Sequence, residues 1–410
     1  MLNSTIASRL SAFLERRVRT PFAFLVIVSI AMPIGMSVWQ ALLNNYAVEQ
    51  IGINGLENGI MQSIREVPGF LAFTSVFILF ILREQVFAVI ALAVFGLGIA
   101  ITGFLPSVYG LYFAVVLMSI GFHYFETVRQ SLSLQWLPKR VAPRLLGALI
   151  SVGSITAFCT FLTVFALVKW LEFDFAAIYA IAGGIVVALA LFLAVAAPRF
   201  KSRVEQRKQI VLRSKYWLYY GLTFLSGARR QIFVAFAGFL LVQRFGFSVA
   251  NMTALLLVNH LVNALAAERI GAWIGRIGER RALTVEYIGL AVIFSCYAFV
   301  ETAWVAGVLY VLDHFFFAMG IAIKTYFQKI AEPADIASTA GVSFTINHIA
   351  AVIIPAVLGS IWLESHAAVF LIGTAFAVCS LVLSQNIPNS PSQGNEVQIA
   401  PTFLRARTTP

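Results

Sequence analysis

Apolar runs of about 20 residues recur from one end of this chain to the other, and that recurrence limits its fold more than any other feature. A helix of that length crosses the hydrocarbon of a bilayer with every backbone N–H and C=O bonded inside the segment. One such run would make an anchor; repetition makes a bundle. The spans read from the pattern are 21–47, 55–82, 86–105, 108–136, 143–168, 174–197, 216–243, 249–275, 281–300, 302–330, 336–362 and 366–386. Composition agrees, since 60% of the 410 residues are hydrophobic and only 11% are charged, against about a quarter in soluble domains. The expected fold class is an all-α polytopic membrane protein.

The net charge of +11 would raise nucleic acid as a partner in a soluble protein, but its distribution excludes that here. Basic residues gather in alternate loops: Arg9, Arg16, Arg17 and Arg19; Lys139, Arg140 and Arg144; Arg199 to Lys215; Arg276, Arg280 and Arg281; Arg405 and Arg407. The intervening loops hold Glu49, Glu57, Glu172, Asp174, Glu301 and Glu364, with little Lys or Arg beyond Lys169 and Arg244. This alternation is the positive-inside rule, and it places both termini in the cytoplasm of a cytoplasmic (inner) membrane. Cys159, Cys296 and Cys379 fall inside spans without a CxxC pair and read as small core hydrophobes. The first apolar stretch, Pro21 to about Val48, is too long for the h-region of a cleavable signal peptide.

Residues 1–20 read as a basic amphipathic cytoplasmic leader, 21–197 as one six-helix bundle, 198–215 as a basic linker, 216–386 as a second bundle, and 387–410 as a disordered tail. An internal repeat supports the halving. Val48-Glu-Gln-Ile-Gly52-Ile53 answers Val242-Gln-Arg-Phe-Gly246-Phe247 at an offset of 194. Pro138 and Gly147 answer Pro333 and Gly341 at 195 and 194, Arg129 answers Lys324 at 195, and Glu66 answers His260 at 194.

The loop between the eighth and ninth spans reads Gly271-Ala-Trp-Ile-Gly275-Arg276-Ile-Gly278-Glu279-Arg280-Arg281. It resembles the cytoplasmic loop motif of the major facilitator superfamily, Gly-x-x-x-Asp-Arg-x-Gly-Arg-Arg, departing from it at Gly275 and Glu279; the matching first-half loop around Arg83-Glu84 is degenerate. The resemblance covers about residues 21–386. It implies twelve transmembrane helices in two pseudo-symmetric six-helix bundles, with Gly271, Gly275, Arg276, Gly278, Arg280 and Arg281 forming a cytoplasmic gating loop. It also implies a secondary active transporter working by alternating access, monomeric, without a cofactor and not an enzyme. No phosphate-binding Gly-x-x-x-x-Gly-Lys-Ser/Thr loop is present to hydrolyse ATP.

Ionisable side chains at membrane depth cost at least about 2.5–3.5 kcal/mol each, so they mark water-lined paths or internal pairs. Arg229, Arg230 and Gln231 sit in mid-span seven; adjacent residues on a helix point about 100° apart, so one arginine enters the cavity while the other pairs with a carboxylate. Guanidinium stays charged and grips carboxylate or phosphate by two parallel bonds. With Trp39, Gln40, Arg65, Arg129, Lys324 and Asn347, these are the candidate substrate contacts. Glu66, Glu126 and Asp313, backed by His123, His314 and His348, are the candidate proton carriers, each open to the plainer reading of an internal pair. Histidine–metal binding is disfavoured, because arginines at the same depth repel a dication.

Arg65, Arg129, Arg229, Arg230 and Lys324 outnumber the three acids, which points to a small organic anion moved with protons. Two alternatives stand beside this reading: a proton-driven exporter of amphipathic or cationic compounds, using the acids as its cation site, and a non-transporting receptor or assembly factor.

Overall fold

The computed structural model describes residues 20–53, 55–200, 204–247 and 249–399; the leader expected before residue 20 and the last residues of the tail lie outside them. The described residues fold almost entirely into helices, with no strand among them. These are α1 (Pro21–Asn45), α2 (Gly55–Phe70), α3 (Glu84–Thr102), α4 (Val108–Trp136), α5 (Ala142–Lys169) and α6 (Phe175–Ala196), followed by α7 (Trp217–Ile232), α8 (Val249–Ile277), α9 (Glu279–Phe299), α10 (Ala303–Phe317), α11 (Ile336–Glu364) and α12 (His366–Ser384). Three of them continue after a break: α2 through a 3-10 turn into Ser75–Ile78, α7 through a π turn into Gly238–Gln243, and α10 through a 3-10 turn into Ile321–Ile330.

Ten segments among the described residues are long and apolar enough to cross a membrane. The expected second and eighth spans are helical but are not among the ten. Helix starts follow local chemistry. The Thr20 hydroxyl accepts from the Ala23 N–H at 3.1 Å with Pro21 at the first turn, and Ser107, Asp174 and Ser365 cap α4, α6 and α12 in the same way.

The chain divides into two compact units. The described residues up to Leu137 join those of Val152–Gln209 in the first; Pro138–Ser151 joins those from Ile210 onward in the second. The opening turns of α5 therefore belong with the second unit, beyond the boundary expected at 197. Glycine explains this: a Cβ on Gly147 would overlap the Ala267 carbonyl, and one on Gly271 the Pro143 carbonyl, so α5 and α8 touch backbone to backbone. Arg144 and Glu268 close the same contact with an ion pair at 2.9 Å.

Within the first unit α3 packs chiefly on α4 and α6; within the second, α9 packs on α12 and α7 on α11. The repeat read from the sequence has a backbone counterpart. Gly52 and Gly246 both adopt positive φ, at 75° and 65°. The Ile53 N–H bonds the Ala47 carbonyl at 3.1 Å, and Phe247 bonds Leu241 at 3.1 Å, the same bond 194 residues on.

Two expectations are corrected. The cysteines are unbonded and exposed on helix surfaces, not in the core. Residues 387–399, expected within a disordered tail, are held against the second unit: Ile387 is fully buried, the Gln393 amide donates to the Ala331 carbonyl at 2.7 Å, and the Tyr326 hydroxyl donates to the Glu396 carbonyl at 2.7 Å. The Ala331 carbonyl lies just past the end of the α10 continuation and needs an acceptor's partner, which the tail supplies.

Candidate functional site

In the first unit, α1, α2 and α4 bring together four of the expected residues. Arg65 donates from Nε and Nη2 to Glu66 Oε1 at 3.0 and 2.7 Å. Its guanidinium lies over the Trp39 ring, 5.7 Å from the centroid. His123 Nε2 stands 3.9 Å from the other Glu66 oxygen, while its Nδ1 meets the Ser119 hydroxyl and carbonyl at 2.9 Å each. The Ser119 hydroxyl also donates to the Arg65 carbonyl, in the turn where Pro68 interrupts the backbone ladder. The Arg65 and Glu66 side chains are 33% and 24% exposed, whereas that of His123 is 4% exposed, so the pair is reachable and the imidazole is its buried backing.

Farther along α4, Glu126 and Arg129 form a two-bond pair at 2.8 and 2.6 Å on their own helix. Gln40 is exposed on α1. Glu84, read in the sequence only as part of the degenerate first-half loop, accepts from Ser131 at 2.7 Å and Gln135 at 2.5 Å.

The second unit contains a deeper cluster. Arg229 on α7 is 3% exposed, donates to the Ser380 hydroxyl of α12, lies 4.4 Å from the Tyr287 ring centroid and stands 3.8 Å from Glu286 of α9. Arg230, one residue on, is exposed. Arg229 is thus the one of the two adjacent arginines that stands beside a carboxylate. Asp313 on α10 is 1% exposed and within electrostatic reach of Arg229 and Glu286. Glu286 was missed by sequence reasoning, although an acid in the middle of the apolar run after Arg281 was a visible signal.

Gln231, Lys324 and Asn347 are half-buried, and the Asn347 amide reaches the Thr223 carbonyl at 3.5 Å where Gly227 lets α11 close on α7. His314 packs edge-on to Phe233 at 5.2 Å, and His348 stacks on Phe344 at 4.5 Å with its Nδ1 2.8 Å from the Phe344 carbonyl. In the gating loop, Gly278 takes φ 85° between α8 and α9, Gly271 receives Pro143, and Gly275, Arg276 and Arg281 are exposed while Arg280 is half-buried. Glu279, a departure from the family motif, is buried and paired with Lys329 at 2.6 Å. Nearby, Glu332 accepts from Lys215 at 2.7 Å and Arg213 at 3.0 Å, and those hydrogen bonds hold its carboxyl below the usual range.

The family profile described as Major Facilitator Superfamily matches residues 23–355. The chain belongs to this superfamily of membrane transporters. No curated protein sequence matches it. Among solved structures it is similar to the human organic anion transporter MFSD10 (TETRAN), with a TM-score of 0.70 at 15% identity, covering 90% of this chain and 99% of that one. It is likewise similar to the major facilitator transporter FucP in its outward conformation, with a TM-score of 0.71 at 14% identity, covering 89% and 98%. A variant of the E. coli fucose:proton symporter FucP gives 0.68 at 14%, with the same coverage. At these identities the likeness shows the fold alone; membership of the superfamily makes the chain a multi-pass membrane transporter of small molecules.

Proposed function

We propose that this superfamily member carries a small organic anion together with protons across the cytoplasmic membrane, by alternating access, with both termini in the cytoplasm and the monomer as the working unit. The observation that carries the reading is the Trp39–Arg65–Glu66–His123 group. A guanidinium on an aromatic face, held by a carboxylate yet partly open, is a resting anion site whose occupant is the protein's own Glu66. A substrate carboxylate can take that place through the same two-bond geometry. Displaced Glu66 then sits at membrane depth without its cation, and a proton neutralises it, with His123 beside it as the other basic group. Anion and proton thus enter together at this group. The reading is in keeping with two proteins of similar fold, one named as an organic anion transporter and one as a fucose:proton symporter.

The experiment is uptake of labelled carboxylates by proteoliposomes under an imposed pH gradient. Arg65→Ala should reduce uptake by at least about tenfold, the order of one lost charge-assisted contact, and Arg65→Lys should restore it only in part. Glu66→Gln, a permanent stand-in for the protonated acid, should keep anion counterflow while its response to the pH gradient weakens. Wild-type uptake by Arg65→Ala would overturn the assignment.

A further inference from the structure

The second unit holds two acids against one guanidinium, all out of solvent. Arg229, Glu286 and Asp313 are 3%, 4% and 1% exposed. Four elements meet at Asp313's surroundings: Arg229 comes from α7, Glu286, Tyr287 and Tyr297 from α9, Tyr310 from Asp313's own helix, and Ser380 from α12 completes Arg229. Arg229 stands 3.8 Å from Glu286 and spends one donor on Ser380. Neither oxygen of Asp313 has a hydrogen-bond partner among the described residues, and the Tyr297 hydroxyl beside it is also unpartnered.

Counted at full ionisation, the cluster carries one negative charge too many. An uncompensated ion in such a place costs several kcal/mol, while a neutral carboxyl costs far less. A proton corrects the excess without ligands of its own. A metal cation would need several oxygens and would meet Arg229 first. We infer that Asp313 is a second proton-carrying group of the transporter, holding one proton while Arg229 is engaged with Glu286. The proton adds to a carboxylate oxygen and leaves it as H+, with no other bond changed. Arg229 is the switch: turned from Glu286 to Asp313, it would stabilise the Asp313 anion and release the proton. Because the two acids share one cation, the proton belongs to the pair, with Asp313 its holder in the arrangement described.

The role of this proton in transport rests on the proton-coupled reading above; its presence does not, and the test separates the two. Infrared spectra of the purified full chain at neutral pH should show the C=O stretch of a protonated carboxyl, shifted in heavy water, that Asp313→Asn lacks. Glu286→Gln should lack it too, because one acid then faces one guanidinium and Asp313 ionises. This second variant keeps the test available should Asp313→Asn fail to fold. A spectrum of Asp313→Asn or Glu286→Gln identical to wild type would overturn the inference. In proteoliposomes, the number of protons moved per anion should fall by about half in Asp313→Asn, and an unchanged ratio would contradict the transport role. A protonated band in a protein that moves no anion would leave the proton site standing and remove the proposed substrate class instead.

Discussion

At the scale of single residues, the buried charges divide by whether their partner is within reach of water. Glu126 and Arg129 complete each other on one helix and are expected to serve packing more than transport. Arg229 is different, since its removal would strand Glu286 in the core. Breaking a buried pair from one side costs about 3–5 kcal/mol, so Arg229→Met should lower thermal stability sharply, while Arg229→Met combined with Glu286→Gln should recover much of it. Thermal unfolding of the purified protein in a double-mutant cycle checks this, and additive losses would refute a direct pairing. Glu332 gives a pH-dependent case outside the membrane spans. Its carboxyl is held below its ordinary value of 4.5 by hydrogen bonds from Lys215 and Arg213. A depressed acid contributes stability that is fully present above that ordinary value and is lost as pH falls through the lower, folded one. Glu332→Gln should therefore lower stability at neutral pH and flatten the acid side of the profile, so that mutant and wild type converge at the lowest pH.

At the scale of elements, the sequence made the helices legible because each apolar run is a complete hydrogen-bonding unit in lipid. The breaks inside helices were less so. Pro68 announced a disturbance in the second span, yet the 3-10 turn after Phe317 and the π turn after Ile232 follow from packing that no local signal states. The charged cluster was half legible. Asp313 and Arg229 stood out as ions in apolar runs; Glu286 lay in the ninth apolar run in the same way and was not singled out. With Glu286 counted, the cations named at membrane depth exceed the acids by one, so the anion proposal rests on the half-buried Arg65 beside Trp39 more than on totals. Gly147 and Gly271 are the sharpest element-level test. Either one replaced by valine should push α5 off α8, reducing folded yield or transport severalfold, whereas Gly184→Ala, with open space at its Cβ, should be silent. Equal effects at all three positions would contradict the backbone contact.

At the scale of the whole molecule, the fold was readable from the repeat and the loop charges, and the same αL glycine and capping bond recur 194 residues apart in the two units. The boundary was not, because a contact between α5 and α8 depends on two glycines that lie far apart in sequence. The tail was misread for a related cause. Its Pro, Ser and Gly content argues for disorder, but Gln393 and Asn386 find backbone partners, with Asn386 and Ile399 bonded to each other at 3.0 and 2.6 Å. The central claim for the molecule is that one protein couples anion movement to proton movement. The most direct measurement is pH-indicator fluorescence inside proteoliposomes challenged in turn with carboxylates, phosphates and cationic compounds. Proton entry should be triggered by a carboxylate and abolished in Arg65→Ala. Proton movement triggered only by a cationic compound, or anion counterflow with no proton movement at any pH, would contradict it.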